Sequence, residues 1–153
     1  MRAELLNLCV RVANTLEDCE FVRVLRNSSA KFWTNNQSQI SAEEQRHWWD
    51  RRERNGYKLF IFDDYEMNVG YLLLRNQGEN WGALTLAVVE SMRSKGIGTF
   101  IYRWAIQNMK SIGFDGLVAD IYKTNIASLV SAIKAGFLID SIGPNGTVRL
   151  VAT

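Results

Sequence analysis

Apolar residues alternate with mostly polar ones at Leu6, Leu8, Val10 and Val12, a period of two that predicts a first strand. The period then lengthens. Asn14 with Glu17 resembles a helix-opening capping box, and Phe21, Val22 and Leu25 continue as one apolar face. Asn27 to Gln39 is polar and reads as a loop. Ser41 with Glu44 predicts the start of a second helix, which carries Trp48 and Trp49 and stops at Asn55-Gly56. Tyr57 to Phe62 and Asn68 to Leu74 form a hairpin pattern around Asp63-Asp64-Tyr65.

The second half is punctuated more sharply. Trp81 to Val89 reads as a strand, followed by Arg93-Ser94-Lys95-Gly96-Ile97-Gly98 and a helix reaching Ile112. Ile97, Ile101, Trp104, Ala105 and Ile112 fall on one side of that helix, and Gly113 stops it. A strand over Gly116 to Tyr122 leads to Asn125, a helix over Ile126 to Ala135, and Gly136-Phe137. Phe137 to Ile142 and Thr147 to Val151 flank Gly143-Pro144-Asn145-Gly146, a last hairpin. The order β-α-α-β-β-β-α-β-α-β-β predicts an α/β sandwich around a mixed, mostly antiparallel sheet, with residues 1–153 as one domain.

Composition narrows the classes. At 153 residues with 47% hydrophobic content there is material for a sizeable core. Eighteen basic against sixteen acidic residues leave a net charge of +2, which argues against a protein that coats nucleic acid. The N-terminus shows no long apolar leader, and no run approaches membrane-spanning length, so no membrane partner is expected. Cys9 and Cys19 lack metal-type spacing and suit a reducing, cytoplasmic setting. His47 is the only histidine, so neither a zinc site nor a serine–histidine triad can be assembled.

The turn at 93–98 carries the chemistry. A strand, two glycines and a helix N-terminus bring together backbone N–H groups that have no helical acceptor, with the helix dipole adding positive charge. Gly96 and Gly98 let a bulky anion approach the main chain, and Arg93 and Lys95 add charge at the rim. The expected guest is a phosphate or pyrophosphate; the alternative is a turn with no ligand. The G-x-x-x-x-G-K-[ST] string does not occur, and Ile101 stands where a dinucleotide fingerprint needs glycine.

R-x-x-G-x-G after a strand, then a helix, a strand, an Asn opening a further helix, and Gly-Phe at its end together resemble the GNAT superfamily of N-acetyltransferases. The resemblance covers Leu59 to the C-terminus. It implies acetyl-CoA as cosubstrate, lying between Leu84–Val89 and Gly116–Tyr122 with no metal. The main chain of Leu86, Ala87 and Val88 would hold the pantetheine, with the Val88 N–H stabilising the oxyanion. Arg93 and the amides of Ser94, Lys95, Gly96, Ile97, Gly98 and Thr99 would hold the pyrophosphate, and Asn125 and Ser128 the pantetheine arm. Many members place a Tyr in the last helix to protonate the departing thiolate; the matching residue here is Ala132, leaving Ser128 or water for that task. Asp120 and Tyr122, on one face of the penultimate strand, are the candidate catalytic groups on the amine side, with Glu79 and Asp63 more remote.

The first helices shape the acceptor pocket in this superfamily. Here Arg26-Asn27, Trp33, Gln39-Ile40-Ser41, Glu43-Glu44 and Trp48 look like acetyltransferases that modify amino sugars on nucleotide carriers. Arg26, Asn27, Trp33 and Trp48 are thus the substrate-binding candidates. Trp33, Trp48 or Trp49 could stack on a base or sugar, and Arg26, Arg51, Arg52 or Arg54 could meet phosphates. Packing of the tryptophans into the core is the competing reading. The expected partner is a small primary amine. A protein N-terminus, a polyamine, a modified nucleobase, or a module that holds CoA without turnover stay open, as does a homodimer through exposed strand edges.

Overall fold

The computed structural model describes residues 7–34, 37–65 and 67–153, so Leu6 of the expected first strand lies outside the described residues. In chain order the elements are β1 (Cys9–Val12), α1 (Leu16–Ser28), α2 (Ala42–Arg51), β2 (Tyr57–Asp63), β3 (Asn68–Asn76), β4 (Trp81–Val88), α3 (Ile97–Ile112), β5 (Gly116–Tyr122), α4 (Ile126–Ala135), β6 (Leu138–Ile142) and β7 (Thr147–Ala152). The sheet runs β1-β2-β3-β4-β5-β7-β6. Every neighbouring pair is antiparallel except β4 with β5.

The two-residue period of the strands builds a separate core on each face. Phe62, Leu72, Leu74, Leu117, Ala119 and Ile121 pack against Ile97, Ile101, Ala105 and Met109 of α3 and Ala132 of α4. Leu59, Ile61, Tyr71 and Ala87, the alternate residues, pack against Cys19, Val22 and Leu25 of α1 and Trp49 of α2. The sheet is therefore covered on both sides by helices whose apolar stripes the sequence already shows.

Differences from expectation are local. The cap of α1 is Thr15 with Asp18, one residue beyond Asn14 and Glu17. Asp18 is 2% exposed and takes both Arg11 guanidinium N–H groups at 2.8 Å, together with the Asn14 and Thr15 amides. That ion pair, with its carboxylate buried and its Arg11 partner on β1 half-exposed, selects the register. The polar segment after Asn27 is not all loop: α1 continues to Ser28, and a 3-10 turn covers Ala30–Phe32. Helix α2 begins as expected, with Ser41 and Glu44 bonded reciprocally. Helix α3 starts at Ile97, because Gly96, at φ +84°, is its N-cap.

Candidate active site

The site begins where the sheet fails to close. The β4–β5 ladder pairs only Trp81–Ala83 with Gly116–Val118, although β4 continues to Val88 and β5 to Tyr122. Tight packing holds the paired end: a Cβ on Gly116 would lie 2.7 Å from the Trp81 ring. On its other edge β4 stays bonded to β3, and Val89 N–H donates to Val69 O at 2.8 Å. Antiparallel pairs alternate between bonded and unbonded, so Val88 and Leu86, opposite Gly70 and Leu72, turn their main-chain groups away from β3 and toward the gap. This is the orientation an oxyanion donor at Val88 N–H requires.

Next to the gap lies the 93–98 loop expected to hold an anion. Ser94 at φ +64° and Gly96 at φ +84° curl the chain in left-handed steps, and such turns gather successive N–H groups into a concavity. No side chain caps α3, and its first backbone bond closes from Phe100 N–H to Gly96 O at 3.0 Å. The N–H groups of Ile97, Gly98 and Thr99 therefore lack helical acceptors. A Cβ on Gly98 would meet only Ser131, at 3.5 Å from its Oγ, so no protein contact demands glycine there.

A cavity of about 340 Å3 joins the loop to the gap. Its lining includes Leu86, Ala87, Val88, Arg93, Ser94, Gly96, Ile97, Gly98, Asn125 and Ser128, and adds Ser131 and Tyr102. Asn125 Oδ1 accepts from Ser128 N–H at 3.4 Å, as N-cap of α4. Ser128 Oγ lies 2.7 Å from the Tyr102 hydroxyl. Burial pushes the Tyr102 phenol up to about 12, the Ser128 hydrogen bond working against it, so this hydroxyl stays protonated at neutral pH. Arg93 turns inward: its Nε donates to Val88 O at 3.2 Å, a terminal nitrogen donates to Ser29 Oγ at 3.3 Å, and its guanidinium sits over Phe32. It ties the anion loop to the segment after α1. Lys95 is exposed beside the loop, and neither it nor Thr99 lines the cavity.

A second cavity, about 410 Å3, opens between the sheet and α1 and α2. Arg26, Trp33, Trp48, Tyr57, Tyr71 and Arg75 are in its wall. The two cavities share Trp33, Thr34, Leu84, Thr85 and Asp120. At that junction Thr85 Oγ1 is buried without a hydrogen-bond partner. Asp120 is bidentate with Arg149 of β7, at 2.9 Å on each oxygen. Tyr122, two residues on, lines neither cavity.

The structure sorts the tryptophans and arginines that sequence left together. Trp49 is core, with Arg52 stacked on it at 3.6 Å and donating to Trp49 O and Ala13 O. Trp48 meets Tyr57 edge to face at 5.3 Å in the second cavity, and Trp33 donates from its indole to Arg26 O at 3.1 Å. Arg26 is bonded to Ser38 O and to Asn27 Oδ1 and lies near the Trp33 ring. Asn27 lines neither cavity; its side-chain amide pairs with Ile40 N–H and O, both at 2.9 Å, and so fixes the chain entering α2. Arg75, Tyr57, Thr85 and Tyr102 were missed. Each falls in a regular strand or helix with nothing in its neighbours to mark it.

The profile of the Acetyltransferase (GNAT) family matches residues 7–137. The chain belongs to the GNAT acetyltransferase family. It is an acetyl-CoA-dependent N-acetyltransferase by class. No curated protein matches it. Among solved structures, this GNAT chain is similar to yncA from Salmonella typhimurium with its cofactor acetyl-CoA, at TM-score 0.81 and 17% identity over 95% of this chain and 93% of the other. It is similar to spermidine N-acetyltransferase from Vibrio cholerae in complex with CoA and spermine, at 0.81 and 15% over 95% and 94%. A third, ribosomal-protein-alanine N-acetyltransferase from Brucella melitensis, gives 0.79 and 20% over 94% and 98%. At such identities the likeness is one of fold. Among the described residues no His, Cys, Asp or Glu cluster could hold a metal, and no helix is long and apolar enough to cross a membrane.

Proposed function

We propose that this GNAT enzyme acetylates the primary amine of a nucleotide-linked amino sugar, with acetyl-CoA in the first cavity and the acceptor in the second. The observation that carries this reading is the shared wall of the two cavities beside the unpaired ends of β4 and β5. An amine entering from the α1–α2 side reaches the thioester where the Val88 N–H faces the gap. Attack forms the C–N bond, the developing oxyanion is held by that amide, and the C–S bond then breaks with the electron pair leaving on sulfur. The Ser94–Thr99 amides hold the diphosphate, and Asn125 and Ser128 flank the pantetheine arm. Asp120 is our candidate for taking the amine proton, through water, because it borders both cavities.

Acceptor chemistry follows from the walls. Trp48, Tyr57 and Trp33 offer ring faces for a sugar or base, while Arg26 and Arg75 suit phosphate. Thr85 Oγ1 awaits a polar partner at the junction. A polyamine is disfavoured, because Arg26 and Arg75 place two cationic side chains in the wall. The test is thiol release against nucleotide-linked amino sugars, spermidine and alanine-terminated peptides. The reading requires the highest kcat/KM for a nucleotide-linked amino sugar and a raised KM for it in Arg75→Gln. A preference for spermidine or peptide would overturn it.

We also propose a homodimer through the β6 edge. This edge strand leaves Leu138, Ile139 and Ile142 exposed at 71%, 58% and 73%. Ile126, Val130 and Ile133 of α4 are exposed as well. Light scattering should give a dimer that Leu138→Lys dissociates; a wild-type monomer at micromolar concentration would refute this.

A further inference from the structure

Tyr102 is a cavity-lining side chain that neither the family pattern nor the acceptor reading uses. It rises from the second turn of α3, is 3% exposed, and packs its ring edge to face against Phe137 at 5.5 Å. Its hydroxyl ends 2.7 Å from Ser128 Oγ, on the first turn of α4. Ala132, one turn further along α4 and fully buried, belongs to the same core cluster. A methyl thus stands where the resemblance expects a phenol, and a phenol from the neighbouring helix enters the cavity instead.

We propose that Tyr102 and Ser128 act as a pair in which Tyr102 orients the Ser128 hydroxyl to donate a hydrogen bond to the sulfur of the departing CoA thiolate. Either hydroxyl can donate in this contact; in the pair proposed here Tyr102 donates and Ser128 accepts. Ser128 then has one proton left to give, and the cavity is the side on which it is needed. Burial keeps the phenol protonated, so it retains a proton to donate across the working pH range. Tyr102 is a positioning residue; Ser128 is the group that would touch sulfur. As the C–N bond forms and the C–S bond breaks, the electron pair goes to sulfur and the Ser128 proton stabilises it by hydrogen bonding. The proton lost by the amine passes through water to Asp120 and on to solvent, and the released thiolate takes one from solvent, so no tyrosinate is formed.

This rests on the donor site proposed above, and the two can fail separately. The probe is CoA itself, bound to the intact protein and followed by calorimetry at about pH 8 in buffers of different ionisation enthalpy. Free thiols titrate near 8.5; a bound thiol lowered by about one unit releases roughly half a proton on binding at that pH. We expect that release with wild type, its loss in Tyr102→Phe and Ser128→Ala, and its absence with desulfo-CoA. The double variant should be no worse than either single one, and kcat should fall about tenfold in Tyr102→Phe with the KM for acetyl-CoA within about twofold. CoA binding with equal proton release in wild type and Tyr102→Phe overturns the pair alone. No heat with CoA in wild type overturns the donor site and the pair with it.

Discussion

Gly98 offers a test of the donor site that folding cannot confound. It lies in the first turn of α3 at ordinary helical φ, and a Cβ there would touch only Ser131 at van der Waals distance. Gly98→Ala should therefore raise the stability of the unliganded protein by about 0.4–1 kcal/mol, through the unfolded chain. Gly98→Glu should also fold well, since a carboxylate at a helix N-terminus contributes roughly 0.3–1 kcal/mol. The carboxylate would, however, occupy the cradle formed by the Ile97–Thr99 amides. A second negative charge about 5 Å away, at an effective dielectric of about 20, is repelled by roughly 3 kcal/mol. CoA affinity should fall by about two to three orders of magnitude in Gly98→Glu and by only a few-fold in Gly98→Ala. Calorimetry measures the affinities, and thermal melting without ligand checks both folds. A hundredfold excess of CoA over its Kd should stabilise wild type by about 2.7 kcal/mol, and Gly98→Glu at the same concentration hardly at all. A melt equal to wild type combined with unchanged CoA affinity would remove the loop from the site.

Asp120→Asn should lower kcat at least about tenfold while leaving CoA affinity intact; a wild-type rate would strike Asp120 from the mechanism. Acid should expose the Asp18 pair. Burial alone would push this carboxyl up, but the Arg11 guanidinium and the Asn14 and Thr15 amides outweigh it and hold it at about 2 against an ordinary 3.8. A depressed carboxyl stabilises the fold above its ordinary value, so about 2 kcal/mol should be lost as pH falls from about 4 through 2, and urea midpoints in Asp18→Asn should be flatter over that window. Gly116→Ala would drive a methyl into the Trp81 ring and should cost about 1–3 kcal/mol, read from the denaturant midpoint; an unchanged midpoint would mean the paired end of β4 and β5 is not tightly packed.

The half of the chain after Gly113 was the more legible. Strand β5, the Asn125 cap and helix α4 lie where glycines and apolar periodicity put them, because each signal is local. The α1 cap was ambiguous for a physical reason: Asn14-x-x-Glu17 and Thr15-x-x-Asp18 both satisfy the rule, and Arg11, reaching across from β1, decides between them. Asn27 was a ligand candidate through the Arg26-Asn27 pair that resembles the amino-sugar branch, yet its amide is spent on Ile40. The Tyr102–Ser128 bond joins residues 26 apart through helix packing, which no periodicity reveals. Arg93 was read as loop charge for the same want of tertiary information; its partners are the end of β4 and a serine just past α1.

The sheet carries a seam that its own strands never stitch. The N–H rungs that β5 withholds from Leu86 and Val88 stay open in the gap, and the pantetheine arm proposed above would supply their partners as an eighth strand would. On the proposed donor site turnover would also be assembly: the arriving reactant would stiffen the barrier between the two halves, and slow amide exchange at those two positions should appear and vanish with its residence.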